Sequence, residues 1–570
     1  MAAQGTRFLN RLRIILDRHL TAANAIDVAV AAHPDCVVFH PDVELPYRLL
    51  AGPGITPRAL RVFVDRFANL LRGHGLGRRE RVAIYKTNGP DYFFISLAVI
   101  RAGGIAVPVN PGMERAQLGR YLAKCQAAMI VTDAAVFRER QLDPADFPTV
   151  RVWLFAGPAP SIDAMTVGLD AALEEASDAP RPADLAPEDE VMIVHTSGTT
   201  GVPKGVVCTS RSLMRSVRGH YAGEPLPTST RTAVAGHFNH LVYQIGLYSS
   251  LLASLSVWTL SRHDPKHVLD TLDRERIHIF FSFPDVYLRM FEMGLNGHDL
   301  GSMRIWISTA DTVHEPHMEA FCRKGAFLRV FGKPVVRSVF IEGLGSSEIG
   351  FAALMRVFFP FMRPRLRRMV GRRSIAGPQV RIVDAEWRTL PAGSVGRLAV
   401  KGPTLFKGYW NAPEMLEGVM RDGWWWTGDI AYRDRLGRFY HLDRAADVIT
   451  TASGPVYTLP TEEMLHSYPG VTEVVVFGVP DGDGANVPVA VINQKPGTVV
   501  DVEACRAWAN TRLHLPVGLR EVVAVEPGDI PRGVTGKVLK RVMRDRYSAS
   551  LAQDGADSSR APARRSGGGR

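Results

Sequence analysis

The sequence predicts an α/β protein: a large N-terminal domain of layered α/β subdomains, followed by a small α+β domain. Three observations predict it. The chain has 570 residues, too many for a single hydrophobic core. Helical and strand patterns alternate through its first half, as in parallel sheets covered by helices. A break near Asp443 is followed by a shorter helix–strand–helix–strand pattern of ordinary small-domain size.

Leu60 to Leu71 places apolar residues at helical spacing. Arg81-Val-Ala-Ile-Tyr85 reads as a strand, Asp91 to Ala102 as a helix and Ile105-Ala-Val-Pro108 as the next strand, which the turn at Asn110-Pro111 stops. The apolar run Val191-Met-Ile-Val194 reads as a buried strand. Gly437 to Arg444 ends a later strand pattern. Beyond it come a helix from about Pro460, a strand at Val474-Val-Val-Phe477, a helix over Val502 to Leu513 and a strand near Val522. From Ser548 the chain is rich in Ser, Ala, Gly and Arg and reads as a disordered tail. The expected divisions are therefore 1–442, 443–547 and 548–570.

Apolar residues form 46% and charged residues 22% of the chain, as in soluble globular proteins. Cys36, Cys125, Cys208, Cys322 and Cys505 lack CxxC or metal-ligand spacing, and read as the reduced thiols of a cytoplasmic protein. Met1 to Leu20 has no continuous apolar core of the signal-peptide kind. The longest apolar stretch, Tyr92 to Pro108, is broken by Arg101 and two glycines, so no transmembrane segment is expected. The formal net charge is +11, and Phe361 to Arg373 holds six arginines and no acid. No nucleic-acid motif accompanies this charge, and an arginine-rich composition accounts for it. An alternative reading takes Phe351 to Arg373, apolar and then basic, as the contact of a non-catalytic binding protein with an anionic membrane or partner.

The most informative segment is Thr196-Ser-Gly-Thr-Thr-Gly-Val-Pro-Lys-Gly205. Glycines let the backbone approach a ligand closely. Free N–H groups, the hydroxyls of Thr196, Ser197, Thr199 and Thr200, and the Lys204 ammonium make a cradle for a polyphosphate, with Gly198 and Gly201 supplying freedom. It is not the usual P-loop, which needs Gly-Lys followed by Ser or Thr. Here Pro203 precedes Lys204 and Gly205 follows it.

This segment resembles the phosphate-binding loop of the adenylate-forming superfamily, which comprises acyl-CoA synthetases, peptide-synthetase adenylation domains and luciferases. The resemblance implies an enzyme that activates a carboxylic acid, fatty or aromatic, with ATP. Acyl-AMP and pyrophosphate form, and the acyl group then passes to a thiol such as that of coenzyme A. It also implies that the small C-terminal domain is mobile.

Five further segments resemble the family. Gly343-Leu-Gly-Ser-Ser-Glu348 matches the stretch that supplies a hydroxyl near phosphate and a glutamate for Mg²⁺. Ser347 and Glu348 fit those roles, and Gly345 and Ser346 belong to the same nucleotide loop. One carboxylate suffices, because Mg²⁺ keeps waters and phosphate oxygens as its other ligands. Leu344 stands where many relatives carry an aromatic residue against adenine. Ile307-Ser-Thr-Ala-Asp311 resembles the Gly-Ala-Pro turn along adenine, with Ala310 kept and Thr309 and Asp311 substituted. Gly423-Trp-Trp-Trp-Thr-Gly-Asp429 ends on the aspartate that takes the ribose hydroxyls, for which a carboxylate is the natural bidentate acceptor. In Asp443-Arg444 the arginine matches a ribose and phosphate contact. Ala446 stands at the family's charged hinge, and the loop Ser453 to Pro460 is long. Pro531-Arg-Gly-Val-Thr-Gly-Lys537 resembles the loop whose lysine bridges carboxylate and α-phosphate. His240 resembles the residue that gates the acyl pocket, to which Gly343 is also assigned.

By resemblance, then, Lys537, Glu348 and Lys204 are the catalytic candidates. The departures at the hinge leave the second step open. Coenzyme A is the leading acceptor. The alternatives are a loaded carrier protein, β-lactone closure, and adenylation of nitrite to diazotise an arylamine.

Overall fold

The computed structural model describes residues 12–162, 164–196, 203–223, 229–311, 313–360, 368–481, 484–495, 497–526, 528–532 and 538–558, with side chains to 549. The chain divides into two compact units. One comprises Met1–Arg363, Val370–Thr389 and Ala399–Thr427; the other comprises Pro364–Met369, Leu390–Leu398 and Gly428–Arg570.

The larger unit contains two large sheets and a small hairpin, Ala326–Val330 with Lys333–Arg337. In the first, the strands run in the order Gly408–Tyr409, Lys204–Thr209, Glu190–Thr196, Ile105–Pro108, Arg81–Ile84, Ala127–Asp133, Val152–Ala156 and Met165–Gly168. From Glu190–Thr196 to the far edge the pairs are parallel, whereas Lys204–Thr209 is antiparallel on both sides. The helices between these strands follow from local chemistry. Pro57–Gly73 begins at Thr56, whose side chain accepts the Ala59 N–H at 3.2 Å. It buries Leu60, Phe63, Val64, Phe67 and Leu71, a stripe at helical spacing. Asp91–Ala102 is buried on every face, and Gly103 ends it at φ 92. The buried Arg101 on this helix is neutralised by Asp65 and by Asp27, the latter at 2.7 Å.

The second sheet of this unit places Phe39–Pro41, Ser256–Leu260, Arg231–Ala235, Ile279–Ser282, Ile305–Thr309 and Val339–Leu344 side by side, all parallel. Leu354–Phe358 then pairs antiparallel with Val339–Leu344. Its core joins Phe280, Tyr287, Trp306, Phe321 and Phe340.

In the smaller unit, Val471–Pro480 pairs antiparallel with Asn486–Gln494, which pairs parallel with Glu521–Val525. Alternation fills both faces. Val474 and Val476 pack with Leu465 and Cys505, while Val475, Phe477 and Val479 pack with Ile530 and Met543. The helices are Thr458–Leu465, Val502–Leu513 and Lys540–Ser558. The division expected at 442/443 falls inside the strand Phe439–Arg444, and that at 547/548 falls inside the last helix. Ala549 and Ala552, good helix formers, let that helix continue into the stretch read as tail. Among the described residues no helix is long and apolar enough to cross a membrane, and all five cysteines are free. Burial pushes the Cys208 thiol up to about 12, which makes it a packing residue and not a nucleophile.

Candidate active site

The sequence motifs of the larger unit converge on the carboxyl ends of its parallel strands, where ligands of open α/β sheets bind. Strands Ile305–Thr309 and Val339–Leu344 pair in register Thr309↔Gly343. The Thr309 hydroxyl donates to the Gly343 carbonyl at 2.6 Å. Ala310, just past the strand end, takes φ 78, a left-handed conformation that a Cβ disfavours. The turn carrying Ala310 and the loop Gly343, Leu344, Gly345 are thereby locked together. Ser347 follows, part-buried, and then Glu348 at 8% exposure. The Ser346 hydroxyl is buried with no hydrogen-bond partner among the described residues. A polar atom left in this state implies a ligand or water.

His240 stands immediately before the helix Leu241–Ala253, beyond the end of Arg231–Ala235. Its ring meets Phe283 edge-on at 5.3 Å. Phe283 follows Ile279–Ser282, the strand between Arg231–Ala235 and Ile305–Thr309. His237 lies 6.3 Å from His240 and 4.7 Å from His263, ring to ring. Burial, then His263 and Arg289, hold His237 down at about 4, so it is neutral at pH 7. Gly236 makes this corner possible, because a Cβ there would lie 1.8 Å from the Tyr243 hydroxyl. That hydroxyl instead donates to the Ala235 carbonyl at 2.8 Å.

Thr196 and Lys204 are opposed in the register of an antiparallel pair, at the mouth of the predicted phosphate loop. Ser197, Gly198, Thr199, Thr200 and Gly201 lie outside the described residues. Gly205 permits close packing, since a Cβ there would meet Ile193 at 2.9 Å and Trp410 at 3.3 Å. His195, beside Thr196, accepts the Asn110 N–H at 2.9 Å and is held near 4 by burial.

One residue the sequence reading missed joins these pieces. Tyr409 lies on the short strand paired to Lys204–Thr209. Its ring carries the Lys204 ammonium at 5.5 Å, within cation–π range. Its hydroxyl donates to the Glu348 carboxylate at 3.2 Å. Glu348 is also tied through its carbonyl, which accepts the Phe406 N–H at 2.8 Å. Tyr409 thus brings the phosphate-loop lysine and the acidic loop to one place. The signal available was Lys407-Gly-Tyr-Trp410, an aromatic pair after a glycine. It is not distinctive without its partners.

A second group lies in the smaller unit. The hairpin of Trp424–Arg433 and Phe439–Arg444 opposes Asp429 to Arg444. Arg444 Nε and His441 Nε2 each lie 3.1 Å from Asp429 Oδ1. Asp429 is buried and Arg444 exposed. The two predicted ribose residues are therefore brought together, and His441 joins them unpredicted. Behind them Asp443 accepts the Thr458 N–H at 2.6 Å and its hydroxyl at 3.0 Å. Burial raises this carboxyl to about 6, against the pull of Lys540. Lys540 lies 2.8 Å from Glu462. Lys537 lies outside the described residues; its loop is flanked by a β-bridge between Arg532 and Val538.

The donor set fits Mg²⁺ bound together with phosphate. Glu348 presents a single buried carboxylate beside an unsatisfied serine hydroxyl. No group of three or more His, Cys, Asp and Glu able to hold a metal by itself occurs among the described residues.

Comparison with known proteins places the chain in a family. Residues 29–410 match the AMP-binding enzyme family, and residues 461–537 match the AMP-binding enzyme C-terminal domain. A 3-aminoavenalumate diazotase from a Streptomyces species is 31% identical over 535 residues, spanning 89% of this chain and 91% of its own. A feruloyl-CoA synthase from an Amycolatopsis species is 29% identical, spanning 87% and 94%. The crystal structure of the anthranilate CoA ligase AuaEII, in complex with anthranoyl-AMP, shares the fold with a TM-score of 0.81 at 20% identity, over 94% of this chain and 99% of that one. The chain belongs to the AMP-binding enzyme family, the adenylate-forming ligases.

Proposed function

We propose that the chain uses Mg·ATP to adenylate an aromatic carboxylic acid and passes the acyl group to coenzyme A. One observation carries this reading: Tyr409 joins Lys204 to Glu348 at the strand ends that also present Ala310 and Gly343. The similarity to a feruloyl-CoA synthase supports the aromatic substrate and the thiol acceptor. A carboxylate oxygen attacks the α-phosphorus and pyrophosphate leaves. The protein contributes positioning and fixed charge. Lys204 and the hydroxyls from Thr196 to Thr200 take the β- and γ-phosphates. Ala310 and the Leu344–Gly345 backbone lie along adenine, Asp429 and Arg444 hold the ribose, and His240 and Gly343 wall the acid pocket. Glu348, with phosphate oxygens, would hold Mg²⁺, which supplies charge neutralisation when bound. Lys537 aims its ammonium at the oxyanion and the α-phosphate. Residues 443–547 then move to withdraw Lys537 and admit the thiol, a hinge motion. Five free cysteines support a cytoplasmic setting.

Acid-dependent exchange of labelled pyrophosphate into ATP tests the first step, with cinnamates and benzoates expected above fatty acids. AMP release is then expected only with coenzyme A. Failure of every acid to support exchange overturns the reading. A second reading has its own support. The diazotase similarity and Ala446 at the hinge position favour adenylation of nitrite and attack by an arylamine. In that case ATP, nitrite and an aminobenzoate yield a diazo chromophore, with AMP released in the absence of coenzyme A.

A further inference from the structure

A cavity of about 920 Å³, lined by none of the motif residues, opens in the larger unit between the N-terminal segment, the stretch 182–187 and the helix Ser210–Gly223. That volume lies within the roughly 300–1,000 Å³ usual for small-molecule sites. Its lining carries four guanidiniums, Arg18, Arg211, Arg215 and Arg218, against one carboxylate, Asp184. Three of the four belong to one helix at positions i, i+4 and i+7, which share a face.

Few of these charges are answered within the protein. Arg211 pairs with Glu188 at 2.9 Å, an exposed contact worth little. Arg18 and Arg215 make no ion pair or side-chain hydrogen bond with the described residues. Arg218 is half-buried. Its Nη2 donates to the carbonyls of Asp17 and, at 3.3 Å, Leu20, while its Nε is buried with no partner. Burial, and then the like charge of Arg215, push its pKa down against the opposing charge of Asp17. Arg18, Arg211 and Arg215 are exposed and Arg218 is half-buried, so the cluster presents its charge to whatever enters the concavity. Guanidinium forks match phosphate oxygens in pairs, and several forks call for a ligand with several adjacent negative charges. The concavity selects a small molecule over a flat protein surface.

We infer that this cavity is a binding site for a small phosphate-rich anion, separate from the phosphate loop at Lys204. The separation follows from the chain path. The helix starts where strand Lys204–Thr209 ends, and six residues of strand set its two ends about 17 Å apart. A ligand here therefore occupies the opposite end of that strand from Lys204.

Titration of the full chain with inorganic tripolyphosphate tests the inference. The Lys204→Ala chain, with its phosphate loop weakened, is expected to retain one site. The double variant Arg18→Ser/Arg215→Ser is expected to bind that site at least tenfold more weakly, with the KM for ATP unchanged. Arg18 and Arg215 are chosen because neither makes an ion pair or side-chain hydrogen bond with the described residues; an unchanged melting temperature without ligand checks that the fold is kept. Affinity is also expected to fall with added salt. Equal tripolyphosphate binding by wild type and the double variant overturns the inference, as does a Lys204→Ala chain that binds none.

Discussion

Tyr409 shows how much one side chain decides at this site. It touches the Lys204 ammonium with its ring and Glu348 with its hydroxyl, so it restrains two charged groups of opposite sign without neutralising either. Replacing it by phenylalanine keeps the cation–π face and deletes the hydrogen bond to the carboxylate. Such bonds contribute about 1–3 kcal/mol, hence a fall in exchange rate of roughly five- to 160-fold at saturating acid. On the proposed assignment of Glu348 to Mg²⁺, the KM for Mg·ATP should rise more than the KM for acid. A Tyr409→Phe chain with unaltered exchange kinetics would remove Tyr409 from the machinery. Other residues were legible one at a time. Glu348, Ala310 and Gly343 could be singled out because each sits in a recognisable local string. Tyr409 and His441 could not, since a Gly-Tyr or a Tyr-His pair in a strand is ordinary until its partners from other strands are in view.

At the level of elements, the hairpin bearing Asp429 and Arg444 is fastened to helix Thr458–Leu465 by Asp443. Burial raises the Asp443 carboxyl from its usual value to about 6, so the sign of its linkage is unusual for an aspartate. The native state holds the proton more tightly than the unfolded chain. Stability from this group is full below about 4 and is lost as pH rises through 6, by about 3 kcal/mol. Asp443→Asn cannot ionise. Relative to wild type it should therefore be near neutral at pH 4.5 and more stable at pH 8, as read by urea midpoints at both values. A wild-type advantage that grows with pH would contradict this. Element prediction from sequence was strongest where pattern and burial agreed. Asp91–Ala102, Ile105–Pro108 and Val502–Leu513 appear with the expected bounds. Val471–Pro480 extends beyond the four apolar residues that announced it. Glu473 and Gly478 are drawn into the strand by pairing with Asn493 and Pro488, a tertiary gain that outweighs their weak β propensity.

For the whole molecule, two compact units with separate cores bear on how the protein unfolds. The cluster around Trp306 and Phe340 and the clusters around Val476 and Phe477 share no residue. Units with their own cores unfold as their own cooperative blocks. Scanning calorimetry at pH 8 should resolve two transitions, of which Asp443→Asn raises only one. A single transition that shifts as a whole would show that the cores are coupled. The net charge of +11 also takes on a location. The segment Phe361 to Arg373 drew attention in the sequence, yet the cavity wall is built by arginines scattered over one helix and the N-terminal stretch.

The sequence by itself determined the fold class, most elements, and the strings Thr196–Gly205, Gly343–Glu348 and Asp429, because each is written in consecutive residues whose chemistry is local. Only the tertiary structure decided which strings meet. The contacts of Lys204 with Tyr409, Tyr409 with Glu348, His240 with Phe283, and the gathering of Arg18 with Arg211, Arg215 and Arg218 join residues distant in the chain. The contact of His240 with Phe283 forms because parallel strands bring their carboxyl ends to one edge, that of Lys204 with Tyr409 because their antiparallel strands pair, and the arginines gather where one helix face meets the N-terminal segment. That long-range packing has no trace in any short window of sequence.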